Sequence, residues 1–492
     1  MRGCGVLLHI SSLPSPHGIG TMGAQAYEFV DFLRRAGQAY WQILPLGPAG
    51  PGDSPYSSYS AFAGNPYFID FDMLSQDGLL VKEDFISLPW GDNPEQVSYK
   101  MLHCHRIPVL RKAYEKGRMI YAEQVEEFRR AQGFWVEDYA LYMALKDFFG
   151  GVHYLKWEQG VKLRVESALD RYRVLLKEDI DFWVFVQYAF FRQWKRLKTY
   201  ANQKGISIIG DIPIYVAGDS ADIWANSELF DLDEQRNPIA VAGCPPDAFS
   251  DDGQLWGNPL YRWDEMKRQG YRWWVSRIEA AFKLYDVVRI DHFRGFDSYY
   301  AIPAGAKTAR QGRWVKGPGM DVFTAVRWNL GKVNIIAEDL GYLTDSVRKL
   351  VADSGFPGMK VLEFAFNTQE PSDYLPHNYD KNSVVYLGTH DNDTLAGWMN
   401  TIPREERELA VEYLRLSRME GYNWGFIKEM YKSVSDTAIV QMQDFLGLGP
   451  QARMNTPSTV GNNWMWRMKR GAASPWLAKK IRRIAKLYGR TR

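Results

Sequence analysis

The chain has 492 residues, enough for one to three domains or for one barrel enlarged by insertions. Lysine plus arginine number 60 and aspartate plus glutamate 58, so the net charge of +2 gives no reason to expect nucleic acid or an acidic polymer as partner. No stretch approaches the ~20 apolar residues of a membrane span, and the first apolar run, residues 6–10, is too short for a signal peptide.

Residues 5–10 read as the first strand, and residues 11–14, Ser-Ser-Leu-Pro, as its exit loop. The spacing of Tyr27, Val30, Phe32 and Leu33 predicts a helix over residues 25–36, and residues 40–46 follow as a second strand, the start of a βαβ pattern. A loop over residues 47–66, rich in Ser, Pro and Tyr, is of the length and composition that carries function. Helical periodicity then runs almost unbroken from about residue 100 to 200, as in Trp135, Tyr139, Tyr142, Met143 and Leu145. Loop and helices together make an insertion over about residues 47–200. Residues 206–216 give a third strand bearing Asp211. The Gly- and Pro-rich residues 243–261 predict an irregular covering loop within a second insertion at about 217–280.

The fourth and fifth strands, residues 287–291 and 333–338, end on Asp291 and Glu338. Residues 358–364, 383–388 and 437–442 supply three more strands, with helices over residues 344–353 and 404–418 between them. Eight strands in series predict an α/β fold, a (β/α)8 TIM barrel that takes in residues 1–492 as one catalytic unit. The tail, residues 476–487, sets Leu477, Ile481, Ile484 and Leu487 on one helix face, which suits docking on the surface.

Three of these strands run into carboxylates: Asp291, Glu338 and, after residues 383–388, Asp391. A barrel enzyme assembles its site in this way at the carboxyl-terminal mouth. Arg289 and Asp291 share a strand face, so the guanidinium is expected to hold Asp291 ionised and lower its pKa, as a nucleophile requires. Glu338 follows Ile335-Ile336-Ala337, and apolar neighbours raise a carboxyl pKa toward that of a general acid. Together they are the minimum equipment for cleaving a glycosidic bond, with Asp391 holding sugar hydroxyls and stabilising positive charge. The aromatic share of 14%, with 18 Trp and 28 Tyr, leaves Tyr56, Tyr59, Phe249 and Trp256 in loops as platforms for a sugar.

A rival reading has Asp211, Asp291 and Glu338 hold a magnesium ion for enolisation. It needs a lysine or histidine base on a facing strand, but residues 40–46 offer no lysine and the sixth strand offers Lys360 only near its start, and it leaves the aromatic loops unexplained. A non-catalytic glycan-binding barrel is a third reading, opposed by the three carboxylates together. His103-Cys104-His105 reads as incidental rather than metal-binding, because residues two apart do not share a helix face. Cys4, Cys104 and Cys244 are odd in number and far apart, as reduced thiols in the cytoplasm would be.

These stretches resemble the 4-α-glucanotransferases, also called amylomaltases or disproportionating enzymes, the glycoside hydrolase family 77 relatives of the α-amylase clan. The marks are Ser54 to Asn65, Gly210 to Val216, Pro245 to Ser250, Gly253 to Pro259 and the three carboxylate segments. The resemblance implies retaining transfer of α-1,4-glucan segments through a covalent glucosyl-enzyme, with maltooligosaccharides or amylose as donors and glucose or another glucan as acceptor. It implies no cofactor and no metal. A hydrolase of the same clan is the alternative. By position, Asp291 is then the nucleophile, Glu338 the acid/base and Asp391 the transition-state stabiliser. Tyr59, Asp211, Arg289 and His390 resemble the residues that hold the sugar at the cleavage site. Ser57, Phe249, Trp256, Phe364 and Asn463 carry over as further substrate contacts. The carboxyl-terminal β-sandwich of typical α-amylases is not expected.

Overall fold

The computed structural model describes residues 2–246, 251–341, 343–368 and 372–491. Its strands are β1 (Gly3–Leu7), β2 (Tyr40–Gln42), β3 (Ser207–Pro213), β4 (Ala240–Cys244), β5 (Gln254–Pro259) and β6 (Val287–Asp291). They continue with β7 (Ser298–Pro303), β8 (Arg313–Lys316), β9 (Ile335–Ala337), β10 (Gly358–Val361), β11 (Ser383–Tyr386) and β12 (Thr437–Gln441). Eight of them close a parallel barrel in the order β1-β2-β3-β6-β9-β10-β11-β12. These are the eight barrel strands expected from the sequence, although β2 and β3 stop short of residues 46 and 216. The fold is a (β/α)8 barrel.

Strand pairing aligns the site. Asp211 lies opposite Arg289, Arg289 opposite Ile336, and Ala337 opposite Gly358. Because side chains alternate, Arg289 and Asp291 point one way from β6 while Val288 and Ile290, both fully buried, point the other. On β3 the same alternation sends Gly210 toward the helices. A Cβ there would stand 2.1 Å from the Tyr285 ring, so only glycine lets the helix Arg272–Leu284 and its exit lie close against the strand.

Helix Ala24–Arg35 seats Phe29, Val30 and Leu33 in the core, and the last helix, Pro475–Leu487, packs beside it with Leu477, Ile481 and Ile484 buried. Ser474 caps that helix by accepting the Leu477 N–H at 3.2 Å. Leu487 departs from the expected face: it is 69% exposed, because it is the helix's final residue and the packed stripe ends at Ala485.

Between β2 and β3 the helices Tyr99–Ile120, Ala122–Ala131, Val136–Phe148 and Glu166–Leu175 form the expected helical insertion. The long helix Lys177–Gln203 packs on both sides, against the insertion and against β3, and its Trp194 indole donates to the Leu284 carbonyl at 3.0 Å. The second insertion differs from expectation. Much of residues 243–261, predicted as irregular, is a β-hairpin of β4 and β5 that joins β7 and β8 in an antiparallel sheet of order β5-β4-β7-β8. Gly253 and Gly257, both at positive φ, bend the hairpin instead of abolishing it. Asn258 anchors it by donating to the Val216 carbonyl at 2.8 Å, which hangs the sheet over the exits of β3 and β6. After β12 the described chain continues in helices and loops.

Candidate active site

Arg289 lies at the centre of the mouth, only 3% exposed. One amino group meets Asp211 Oδ2 at 2.5 Å and the other meets Asp291 Oδ1 at 3.0 Å, while Nε lies 3.3 Å from Met359 Sδ. Burial works against the charge on Arg289, but Asp211 and Asp291 outweigh it and the guanidinium stays protonated at any ordinary pH. Asp211 is fully buried; its Oδ2 also accepts the Tyr56 hydroxyl at 2.8 Å, and its Oδ1 has no partner among the described residues.

Glu338 is fixed by the turn that leaves β6. His292 takes the left-handed conformation, φ 52°, and its N–H donates to Glu338 Oε2 at 2.6 Å. The Leu340 N–H reaches Oε1 at 3.1 Å. Such a conformation at a non-glycine residue costs energy, and here it aims the backbone next to Asp291 at the second carboxyl. Desolvation, then the charge of Asp291, pushes Glu338 up to about 8. Desolvation pushes Asp291 up to about 6, against the pull of Arg289. The sequence expectation that Arg289 would leave Asp291 below the usual range is therefore corrected: enclosure by the neighbouring strands outweighs one guanidinium. Of the two, only Asp291 has a guanidinium pulling its pKa back down at 3.0 Å, while the charge of Asp291 adds to the rise at Glu338.

Asp391 follows β11 on a turn held by Asn455, which donates to Oδ1 at 2.6 Å, and by Arg453, which donates to the Asp391 carbonyl at 2.8 Å. His390 is buried; its Nε2 lies 3.4 Å from Asp391 Oδ2 and its ring stacks on Tyr56 with centroids 4.9 Å apart. Tyr56 thus joins Asp211 to the His390–Asp391 turn.

Tyr59 is placed elsewhere. Its ring packs 5.1 Å from Lys146 Nζ and 6.4 Å from the Tyr142 ring, on the helix Val136–Phe148. The antiparallel bridge of Ala49 with Ser58 fixes the loop so that Tyr56, not Tyr59, supplies the hydroxyl at the carboxylates. Ser57 closes the same loop through its carbonyl, which accepts from Gly50 N–H at 2.7 Å. Trp256 on β5 sets its ring edge-on to His292 at 4.8 Å and is 36% exposed, beside the Asp291 end of β6. Phe364, 40% exposed, meets Tyr374 at 5.6 Å beyond β10. Asn463 bonds within its own loop, to Thr456 and Thr459, and not to the carboxylates. Phe249 lies outside the described residues. Asn455 and Arg453 were not singled out as site residues from sequence, and Tyr56 was expected as a sugar platform, not as the hydroxyl partner of Asp211. The Tyr56 loop was marked, but which ring turns inward depends on the bridge.

Among the described residues no group of three His, Cys, Asp or Glu side chains is arranged to hold a metal ion. Where the magnesium reading needs a cation, between Asp211 and Asp291, the Arg289 guanidinium stands. His103 is used in structure, with its Nδ1 2.7 Å from the Tyr67 hydroxyl and its Nε2 3.3 Å from Asp53. No described helix is long and apolar enough to cross a membrane.

A closed barrel whose mouth carries an ionised, arginine-clamped carboxylate beside a protonated one is an enzyme equipped for glycosyl chemistry. The glycoside hydrolase family 77 model, described as 4-alpha-glucanotransferase, matches residues 8–473. The chain belongs to the 4-alpha-glucanotransferase family and is an enzyme of that activity. It is 51% identical over 485 residues to the 4-alpha-glucanotransferase of Clostridium butyricum, covering 98% of this chain and 100% of that one. It is 46% identical over 495 residues to that of Thermus thermophilus, with 98% of each covered. Amylomaltase from Streptococcus agalactiae, solved in complex with acarbose, superposes with a TM-score of 0.98 at 44% identity over 100% of both chains.

Proposed function

We propose that the enzyme transfers α-1,4-glucan segments by retaining double displacement, with Asp291 as nucleophile and Glu338 as acid and then base. The observation that carries this reading is the placement of the two carboxyls: Arg289 clamps Asp291 at 3.0 Å, while Glu338 is tied to the next residue's backbone, the His292 N–H, at 2.6 Å, where burial and the charge of Asp291 raise its pKa. Near pH 7 Asp291 attacks the anomeric carbon as an anion while Glu338 gives its proton to the leaving 4-oxygen. Esterification then removes the Asp291 charge, and Glu338, now deprotonated, accepts the proton of the incoming sugar hydroxyl. Asp391, held by Asn455, faces the ring as positive charge develops. Asp211 Oδ1, buried without a partner, is available to accept a sugar hydroxyl, and Tyr56 fixes the opposite oxygen.

Maltooligosaccharides and amylose are the proposed donors, with glucose or a glucan end as acceptor. The acarbose complex of the amylomaltase from Streptococcus agalactiae supports an oligosaccharide in such a mouth. The cytoplasm is the proposed compartment, in keeping with the thiols of the buried Cys4 and the exposed Cys104. Incubation with maltotriose alone tests the reading. A ladder of longer maltooligosaccharides plus glucose is expected; maltose and glucose without longer products would mark a hydrolase instead.

A further inference from the structure

Behind the loop that carries Tyr56 lies a second cleft, of about 280 Å3, between the helical insertion and the barrel. Its floor is Phe62, and the rings of Phe134 and Trp273 stand nearly at right angles to it, with centroids 5.4 and 6.1 Å away. Phe134 is 53% exposed, unusual for a ring that only fills a core. The polar lining is as specific: Asp222, Glu228, Arg272 and Ser276 border the same space. Asp222 is 4% exposed and uses one oxygen to accept the Ala61 N–H at 2.8 Å. The Trp273 indole N–H is buried without an acceptor among the described residues.

We infer that this cleft is a second, non-catalytic site for one or two glucosyl units of an α-glucan chain. The chemistry of the walls selects that ligand. Flat aromatic faces suit the apolar face of a pyranose, and carboxylate, guanidinium, hydroxyl and an unmet indole donor suit its hydroxyls. Three carboxylates, Asp138, Asp222 and Glu228, against one guanidinium disfavour an anion, while the pairing of Asp138 with Arg164 at 2.6 Å and the Arg272 charge at the rim disfavour an organic cation. The volume lies at the lower edge of small-molecule sites, ~300–1,000 Å3, which fits a short sugar segment. The transferase activity brings long glucan chains to this surface. A chain gripped behind the Tyr56 loop presents its remainder to the mouth at raised effective concentration. The grip is tied to the active site mechanically, because Phe62 and Ala61 belong to the same loop as Tyr56.

The test uses the full-length enzyme with Phe134→Ala and Arg272→Ala together, two exposed positions whose loss leaves the core packed. The KM for amylose rises about three- to tenfold, while kcat and KM for maltotriose, too short to bridge both sites, stay within about twofold. In an Asp291→Asn background, calorimetry with maltotriose finds two binding sites, and one after the double substitution. Ser276→Trp, which fills the cleft without removing a wall, gives the same pattern. Unchanged amylose KM in both variants, or one maltotriose site before and after, overturns the inference. Neither result bears on the maltotriose ladder, so failure of the cleft and failure of the transfer reaction are read separately.

Discussion

The two halves of the barrel mouth treat buried acids differently. The half built by β3, β6 and β9 places Asp211, Asp291 and Glu338 around Arg289, within 3.0 Å of the first two. The half built by β10, β11 and β12 places Glu363, Asp393 and Asp444 together with no cation in salt-bridge range among the described residues. Glu363 is 5% and Asp444 1% exposed. Burial first, then Asp444 and Asp393, drives Glu363 well above the usual carboxylate range. Burial, with Asp393 adding to it, pushes Asp444 up to about 7. In the second half burial acts on acids with no guanidinium beside them; in the first, Arg289 opposes the same push on Asp291, whose side chain is also 30% exposed.

Removing either reacting carboxyl breaks the first half outright. Asp291→Asn lowers kcat by at least about 10⁴-fold, since no other anion stands at that position. Glu338→Gln can keep only one of the two backbone hydrogen bonds, because its amide nitrogen cannot accept, and it has no acid proton to give; it lowers kcat by about 10²–10⁴-fold. Steady-state assays on maltotriose check both. In the intact enzyme kcat/KM is bell-shaped in pH: activity rises as Asp291 ionises near 6 and falls as Glu338 ionises near 8. Full activity of Asp291→Asn would remove the nucleophile.

Arg289→Lys is the next largest change, about 10²-fold in kcat/KM, because an ammonium cannot span Asp211 and Asp291 as the planar fork does. With the pull on Asp291 weakened, its pKa rises and the acid limb of the pH profile moves up. A limb that stays in place would mean that Arg289 does not set the ionisation of Asp291.

In the second half, Glu363→Gln is expected to leave kcat within about threefold, since the amide mimics the protonated acid already present. Its effect is on stability. The folded protein holds the Glu363 proton above the ordinary 4.5, so wild-type stability is full below that pH and falls as pH rises toward the folded value. Each pH unit inside that window costs up to about 1.4 kcal/mol, and the glutamine variant lacks this loss. Urea melts from pH 5 to 8 check it, with Asp444 contributing its own loss up to about 7 in both proteins. Equal slopes would show that Glu363 is ionised in the fold.

The contrast also shows what the sequence made legible. β6 and β9 announced themselves by apolar runs, and alternation alone put Arg289 with Asp291. The same parity runs from Met359, which touches Arg289, through Val361 to Glu363, so a signal for the second cluster existed. Its burial did not show, because that depends on β11 and β12 closing around it. The β4–β5 hairpin was hidden because β7, the partner of β4, comes about 60 residues after it, and the local glycines pointed to irregular structure. Tyr56 and Tyr59 could not be told apart, since no period governs a loop held by one bridge and a few backbone hydrogen bonds. The eight barrel strands were legible because each is a local pattern, and so was the rise at Glu338 after its apolar run; the direction of the Asp291 shift was not, because its desolvation is a property of the assembled mouth.

The smallest expected effect falls on partition of the intermediate rather than on its formation. Trp256 rests edge-on against His292, one residue past the proposed nucleophile Asp291, on a hairpin anchored at Val216. A ring there excludes water from the glucosyl ester while an acceptor sugar is positioned. Trp256→Ala opens that approach without touching Asp291 or Glu338, so total turnover falls by less than about tenfold while the share going to water rises. Reducing ends released per transfer event from maltotriose report the ratio directly. A several-fold increase is expected, and it should be largest at low maltotriose, where acceptor competes least with water. An unchanged ratio would move water exclusion from the overhanging sheet to the acceptor's own fit in the mouth.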